Sequence, residues 1–212
     1  MRPERSQGGA RRSLLLGAAL ALLPLLLSDC ATHPPPAQAL PPARSWAQRQ
    51  VLLRSAAGHF TLEGRIAASH GDQGSSAGLR WQQQGEQGQM SLSGPLGFGG
   101  ARISLSAESI SIRTNDGREL SGDAALGELS RLLGFDPPLQ SLRFWVVGLP
   151  DPAGSAPAPV LDAQQRLSRL TQDGWNIVYD AYMSAQREWL PRRLTLTRAN
   201  LRLRLVIDDW QL

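Results

Sequence analysis

The sequence predicts a mainly β chain of the α+β class: an unclosed antiparallel β-barrel, or half-barrel. About three α-helices cover it, and it holds an internal hydrophobic cavity. Two observations predict this. Short runs of alternating apolar and polar residues fill Phe60–Thr114 and return over Arg166–Ile207. Between these blocks the period changes to that of two short helices, and a further helix precedes the first block. Helix, many strands, two helices, many strands is the order of a meandering sheet curled around a helical plug. Such a shape encloses an apolar cavity more naturally than a flat sandwich does.

The elements follow in order. Arg44–Ala57 carries Trp46, Val51, Leu52 and Leu53 among Arg and Gln and stops at Gly58, as a short amphipathic helix does. Phe60, Leu62, Gly64, Ile66 and Ala68 then share one strand face. Gly71–Ser76 is expected to be a turn, and Ala77, Leu79 and Trp81 share a face of the next strand. Gln87–Ser93 and Ala101–Ser106 alternate again, as does Ser109–Thr114 through Ile110 and Ile112. Asn115-Asp116-Gly117-Arg118 is a hairpin signal, because Asp-Gly accepts left-handed backbone angles. Asp123 is expected to cap a helix through Leu126, Leu129, Leu132 and Leu133, ended by Gly134. After Pro137-Pro138, Leu139–Val147 reads as a second helix stopped by Gly148, and Asp151–Pro159 as a loop. Arg166–Thr171, Trp175–Ala181, Arg192–Arg198 and Leu201–Ile207 complete an expected nine or ten strands.

The segment between the third and fourth strands is unusual. Pro95, Leu96, Gly97, Phe98 and the glycines around them suit a turn, yet they carry no side-chain polarity. Either Leu96 and Phe98 fold back onto the core, or the loop is a probe for lipid or an acylated partner.

The chain begins like an exported one. Arg2, Arg5, Arg11 and Arg12 precede the fourteen-residue apolar run Leu14–Leu27. That run is shorter than the ~20 residues of a spanning helix and fits a signal peptide, residues 1–29. Arg11-Arg12 leaves the export route, general secretory or twin-arginine, open. Cys30 is the only cysteine, so no internal disulfide forms. Leu27-Ser28-Asp29-Cys30 resembles a bacterial lipobox, which makes Cys30 the expected acylated first residue of the mature protein; Asp29 departs from that pattern. The proline-rich tether 30–43 follows, able to reach roughly 40 Å in extended form. Residues 44–212 are expected to form one domain.

Composition narrows the function. All 22 basic residues are arginine. Beyond the leader, 18 basic and 16 acidic residues remain, with no basic block, so nucleic acid is not an expected partner. His33, His59 and His70 stand in no metal spacing, and Asp208-Asp209 are adjacent strand residues that point to opposite faces. No phosphate loop, G-x-S-x-G or HExxH occurs, and neither enzymatic activity nor a cofactor or metal is expected.

The motifs line up with a family. Leu27–Cys30, Gly64-Arg65, Trp81-Gln82-Gln83, Pro95-Leu96-Gly97, Asp116-Gly117, Leu142–Pro150, Gly174-Trp175, Tyr179 with Tyr182, Pro191 with Leu194, and Ile207-Asp208-Asp209-Trp210 stand in one order along the mature chain. In these the chain resembles LolB, the outer-membrane lipoprotein receptors of Gram-negative bacteria. The resemblance implies an open half-barrel with an apolar cavity, anchored on the periplasmic face of the outer membrane. It implies that acylated lipoproteins are accepted from a periplasmic LolA-like carrier and inserted into outer-membrane lipid. It further implies that Leu96, on a protruding loop with Pro95, Gly97 and Phe98, serves insertion. The inward residues expected to meet acyl chains are Phe60, Leu62, Ile66, Leu79, Trp81, Met90, Leu92, Trp145 and Trp175, in a monomer. A structural envelope lipoprotein and a periplasmic carrier of apolar ligands remain the alternatives.

Overall fold

The computed structural model describes residues 40–94 and 100–212. Helix α1, Trp46–Gly58, starts with a capping box. The Ser45 hydroxyl accepts from the Gln48 amide at 3.4 Å, and the Gln48 side chain accepts from the Ser45 amide at 2.9 Å. The chain passes directly from α1 into β1, His59–His70, followed by β2 (Gln73–Gln84), β3 (Gln87–Ser93), β4 (Gly100–Leu105), β5 (Ile110–Thr114) and β6 (Glu119–Ser121). Helices α2 (Asp123–Leu133) and α3 (Leu139–Trp145) come next. Strands β7 (Ala158–Leu161), β8 (Leu167–Gln172), β9 (Trp175–Ala185), β10 (Glu188–Arg198) and β11 (Leu201–Gln211) complete the chain.

All eleven strands form one antiparallel sheet in the order β6-β5-β4-β3-β2-β1-β11-β10-β9-β8-β7. Each half is a meander of hairpins, and the halves join where β1 pairs with β11, Leu62 opposite Trp210 and Ile66 opposite Leu205. The outermost strands β6 and β7 do not pair with each other, so the barrel is unclosed. In sequence, α2 and α3 lie between exactly these two edges. A bulge at Glu63/Gly64 bends β1. Gly64 is required there, because any Cβ would run into the Val206 carbonyl and come within 2.9 Å of the Ile207 Cα.

The register defines two ends of the sheet. The turns at Gly71-Asp72, Asn115–Arg118, Asp173-Gly174 and Ala199-Asn200 share a rim with Gly94 and Gly100. The turns at Gly85-Glu86 and Gln186-Arg187 share the opposite base with α1 and Leu212.

Inward strand positions build the core. In the second half it is dry and closed: Leu167, Leu170, Ile177, Leu190, Leu194, Leu196 and Leu205 have no exposed surface. Phe60 meets Trp81 edge-on at 5.2 Å between centroids and Trp210 at 5.5 Å, an arrangement suited to ring quadrupoles. Gln172 ties α3 to the sheet. It accepts from the Trp145 indole and from the Asp151 amide, both at 2.9 Å, and donates to the Asp151 and Ser155 carbonyls.

Several sequence expectations need correction. The turn expected over Gly71–Ser76 shrinks to Gly71-Asp72, because Gln73–Ser76 pair with Ala67–His70. Those four residues of β2 are exposed, and none is apolar apart from Gly74, so they leave no alternation to read. Gly122, not Asp123, is the N-cap of α2; its φ of 55° is left-handed, which a glycine adopts without strain. Asp123 instead sits in the first turn, where a carboxylate favours the helix dipole. Helix α3 ends at Trp145 rather than Val147. The loop expected over Asp151–Pro159 ends two residues early, where edge strand β7 begins at Ala158.

Candidate functional site

An apolar pocket of about 160 Å³ opens at the rim of the first half. Ile66 and Ala68 of β1, Ala77 of β2, Leu92 of β3 and Ala101 of β4 line its sheet side, and Leu132 and Leu133 of α2 face them. Exposed Ser75 and Ser76 mark its mouth. The void has a simple cause: the inward positions near the rim are alanines and glycines, while those below them are Leu79, Met90 and Ile103. A pocket lined by apolar groups with a few hydroxyls at its entrance suits an apolar ligand. A dry cavity of ~150 Å³ holds a benzene-sized molecule. Gly94 and Gly100, which flank residues 95–99, belong to the same lining.

Helix α2 is the movable-looking wall, since the other walls are strands of the sheet. Glu128 fastens it through Arg118 of the β5–β6 turn, which reaches the carboxylate at 3.2 Å, and Arg131, three residues on in the same helix, holds that carboxylate at 2.7 Å. Hydrogen bonds from Arg131, with the charge of Arg118, lower the Glu128 carboxyl to about 2. Asp116 is also lowered to about 2, first by the Thr114 hydroxyl and then by Arg118. Gly134 ends α2 in a left-handed conformation with φ of 80°.

Of the residues expected to meet acyl chains, Ile66 and Leu92 line the pocket. Phe60, Leu62, Leu79, Trp81, Met90, Trp145 and Trp175 are buried in the packed core and are not part of the pocket wall. Cys30, Pro95, Leu96, Gly97 and Phe98 lie outside the described residues. Sequence reasoning missed Ala68, Ala77, Ala101, Leu132 and Leu133 as lining. The available signal was the run of small inward residues where neighbouring strands approach one rim. Among the described residues no cluster of His, Cys, Asp and Glu has the form of a metal site.

A half-barrel left open along one seam, with an apolar pocket at its rim walled by the sheet and by α2, defines a protein built to hold apolar ligands. Its fold is shared with a LolA superfamily protein of Nitrosomonas europaea, at a TM-score of 0.50 and 11% identity, over 82% of this chain and 94% of that one. The family described as outer membrane lipoprotein LolB matches residues 58–210. Curated relatives named outer-membrane lipoprotein LolB include one from Alkalilimnicola ehrlichii, 37% identical over 95% of this chain and 98% of its own. Another, from Azoarcus, is 34% identical over 96% of this chain and 97% of its own. The chain belongs to the LolB family of outer-membrane lipoproteins. No helix among the described residues is long and apolar enough to cross a membrane.

Proposed function

We propose that the protein is the outer-membrane receptor that takes acylated lipoproteins from a LolA-like periplasmic carrier and inserts them into the outer membrane. The observation that carries this reading is the rim pocket, apolar throughout its depth and continuous with the stems of the apolar 95–99 loop. Acylated Cys30, after a signal peptide over residues 1–29, anchors the domain through the tether 30–43.

The thermodynamics need no energy source in this chain. Burying one methylene is worth ~0.8 kcal/mol, so an acyl chain of about fifteen carbons resists entering water by roughly 12 kcal/mol. Such a cargo moves from one apolar cavity to the next and then to lipid, and the acceptor need only hold it more tightly than the donor. At about 160 Å³ the pocket takes only the end of one such chain, so loading requires α2 to withdraw from Ala77 and Ala101. Leu96, beside the mouth in sequence, is the lipid probe, aided by Phe98.

The test is transfer of an acylated lipoprotein from its carrier to this protein and on to liposomes, with Leu96→Glu beside the wild type. Acceptance by both and insertion by the wild type alone supports the reading. A wild type that accepts nothing overturns it and favours a structural envelope lipoprotein.

A further inference from the structure

Helix α1 buries an arginine and leaves two aliphatic side chains outside. A helix packed on a sheet ordinarily turns its apolar residues inward. Here Arg49, 2% exposed, shares the inward face with Leu53, Ala56 and Ala57, and it is held by Glu188 at 2.6 Å and by the Trp189 carbonyl at 2.8 Å. Val51, by contrast, is 71% exposed and Leu52 44%. Leu40 and Leu212, at the base with α1, are 74% and 41% exposed. Grooves on either side of Leu52 join Val51, Leu52 and Leu212, one bounded by Pro42 and Val51 and the other by Arg187 and Leu212. The ionised groups on α1 and the segment entering it are all arginines: Arg44, Arg49 and Arg54. Glu188, the carboxylate bordering the patch, is engaged by Arg44 and Arg49.

We propose that the outward face of α1, with Leu40 and Leu212, is a lipid-contacting surface on which the domain rests upon the membrane that anchors it. The proposal depends on the acylation of Cys30 in the reading above. Two observations choose lipid as the occupant. The patch combines exposed aliphatic side chains with arginines, and its bordering carboxylate, Glu188, is already paired, which suits an interface of acyl chains and phosphate headgroups. The chain outside the described residues leads to it as well: nine residues separate Cys30 from Leu40, a reach of about 30 Å in extended form. The base is therefore the end held nearest the anchor.

The register adds a geometric consequence. The pocket mouth and the stems Gly94 and Gly100 are at the rim, one strand length from the base; a twelve-residue strand such as β1 runs about 40 Å. With α1 on the membrane the mouth faces away from lipid, the posture for receiving cargo. Delivery requires the domain to tip over, so the two postures exclude each other.

The test uses the acylated full-length mature protein in vesicles of phosphatidylethanolamine and phosphatidylglycerol. Acylation occupies the single native cysteine, so a fluorophore placed by Val51→Cys, or by Asn200→Cys at the rim, is unique. Quenching by nitroxide-bearing lipids is expected to be several-fold stronger at position 51 than at position 200, and to weaken with Arg54→Glu. Equal quenching at both positions overturns the proposal. So does a position-51 label that is shielded without vesicles as protein concentration rises, which marks a second copy as the occupant. A Cys30 found unacylated by mass also removes the proposal. Cargo acceptance is measured on the same preparations. Quenching at 51 without acceptance removes the receptor reading and leaves this surface standing; acceptance with position 51 in water removes this surface alone.

Discussion

Arg49 and Glu188 form a buried ion pair, 2.6 Å apart, that locks α1 to the start of β10. Burial pushes the Arg49 guanidinium below its ordinary value, and the charge of Glu188 opposes that shift. Arg44 meets the second oxygen of the same carboxylate at 2.6 Å. Removing one buried partner leaves the other charge stranded, at a cost of about 3–5 kcal/mol, whereas replacing both with apolar residues is often neutral. Arg49→Leu is therefore expected to lower the urea midpoint sharply, and Arg49→Leu with Glu188→Leu to recover much of the loss. Equal damage from the single and double variants would show that the pair is not the source of the effect.

The fastening of α2 is acid-sensitive. The Glu128 carboxyl is lowered from 4.5 to about 2, so its stabilising effect is complete above 4.5 and is lost as the pH falls toward 2. Amide exchange in α2 is expected to accelerate over that range before exchange in β10 does. Glu128→Gln is expected to abolish the acid-dependent step and leave α2 more open at neutral pH.

The pocket can be filled from within. Ala77 is half-buried, pairs with Ile66 and lines the void. Ala77→Leu is expected to weaken binding of a fluorescent fatty-acyl probe by about tenfold, equivalent to about 1.4 kcal/mol. Stability is expected to change by less than about 1 kcal/mol, because the added carbons enter empty space. A variant that binds the probe as the wild type does would place the acyl site elsewhere.

Gln172 joins α3 to β8. Gln172→Leu strands the Trp145 indole and the Asp151 amide, each buried and each a donor at 2.9 Å. At about 1–3 kcal/mol for each unsatisfied group, chemical denaturation should show a loss of at least about 2 kcal/mol. Near-ultraviolet circular dichroism of the tryptophans is expected to change with it.

Much of this architecture is written in the period of the sequence. Phe60 through Ala68 and Leu201 through Ile207 alternate because one face meets the core, and the structure pairs these two strands at the centre of the sheet. Where no face is buried the signal vanishes: Gln73–Ser76 are exposed throughout, and β6 is three residues long. Edge strand β7, beginning at Ala158-Pro159, escaped for the same reason. The pocket was half legible. Alternation shows that Trp81 and Leu92 point inward, but not how deep each lies along the barrel, and depth separates packed tryptophan from pocket wall. That depth is set by neighbours in register, Ala77 opposite Ile66 and Ala101 opposite Leu92.

The pairing of β1 with β11 also governs when this molecule can exist as a folded body. The central ladder joins Thr61 to Gln211 and Leu62 to Trp210, the beginning of the domain to its last residues. A nascent chain still short of its terminal strand lacks the partner for β1 and cannot close its core, whatever local hairpins have formed. On the export route proposed above, that delay keeps the chain threadable until β11 has been made, and its concave apolar surface forms only on the far side of the translocation pore.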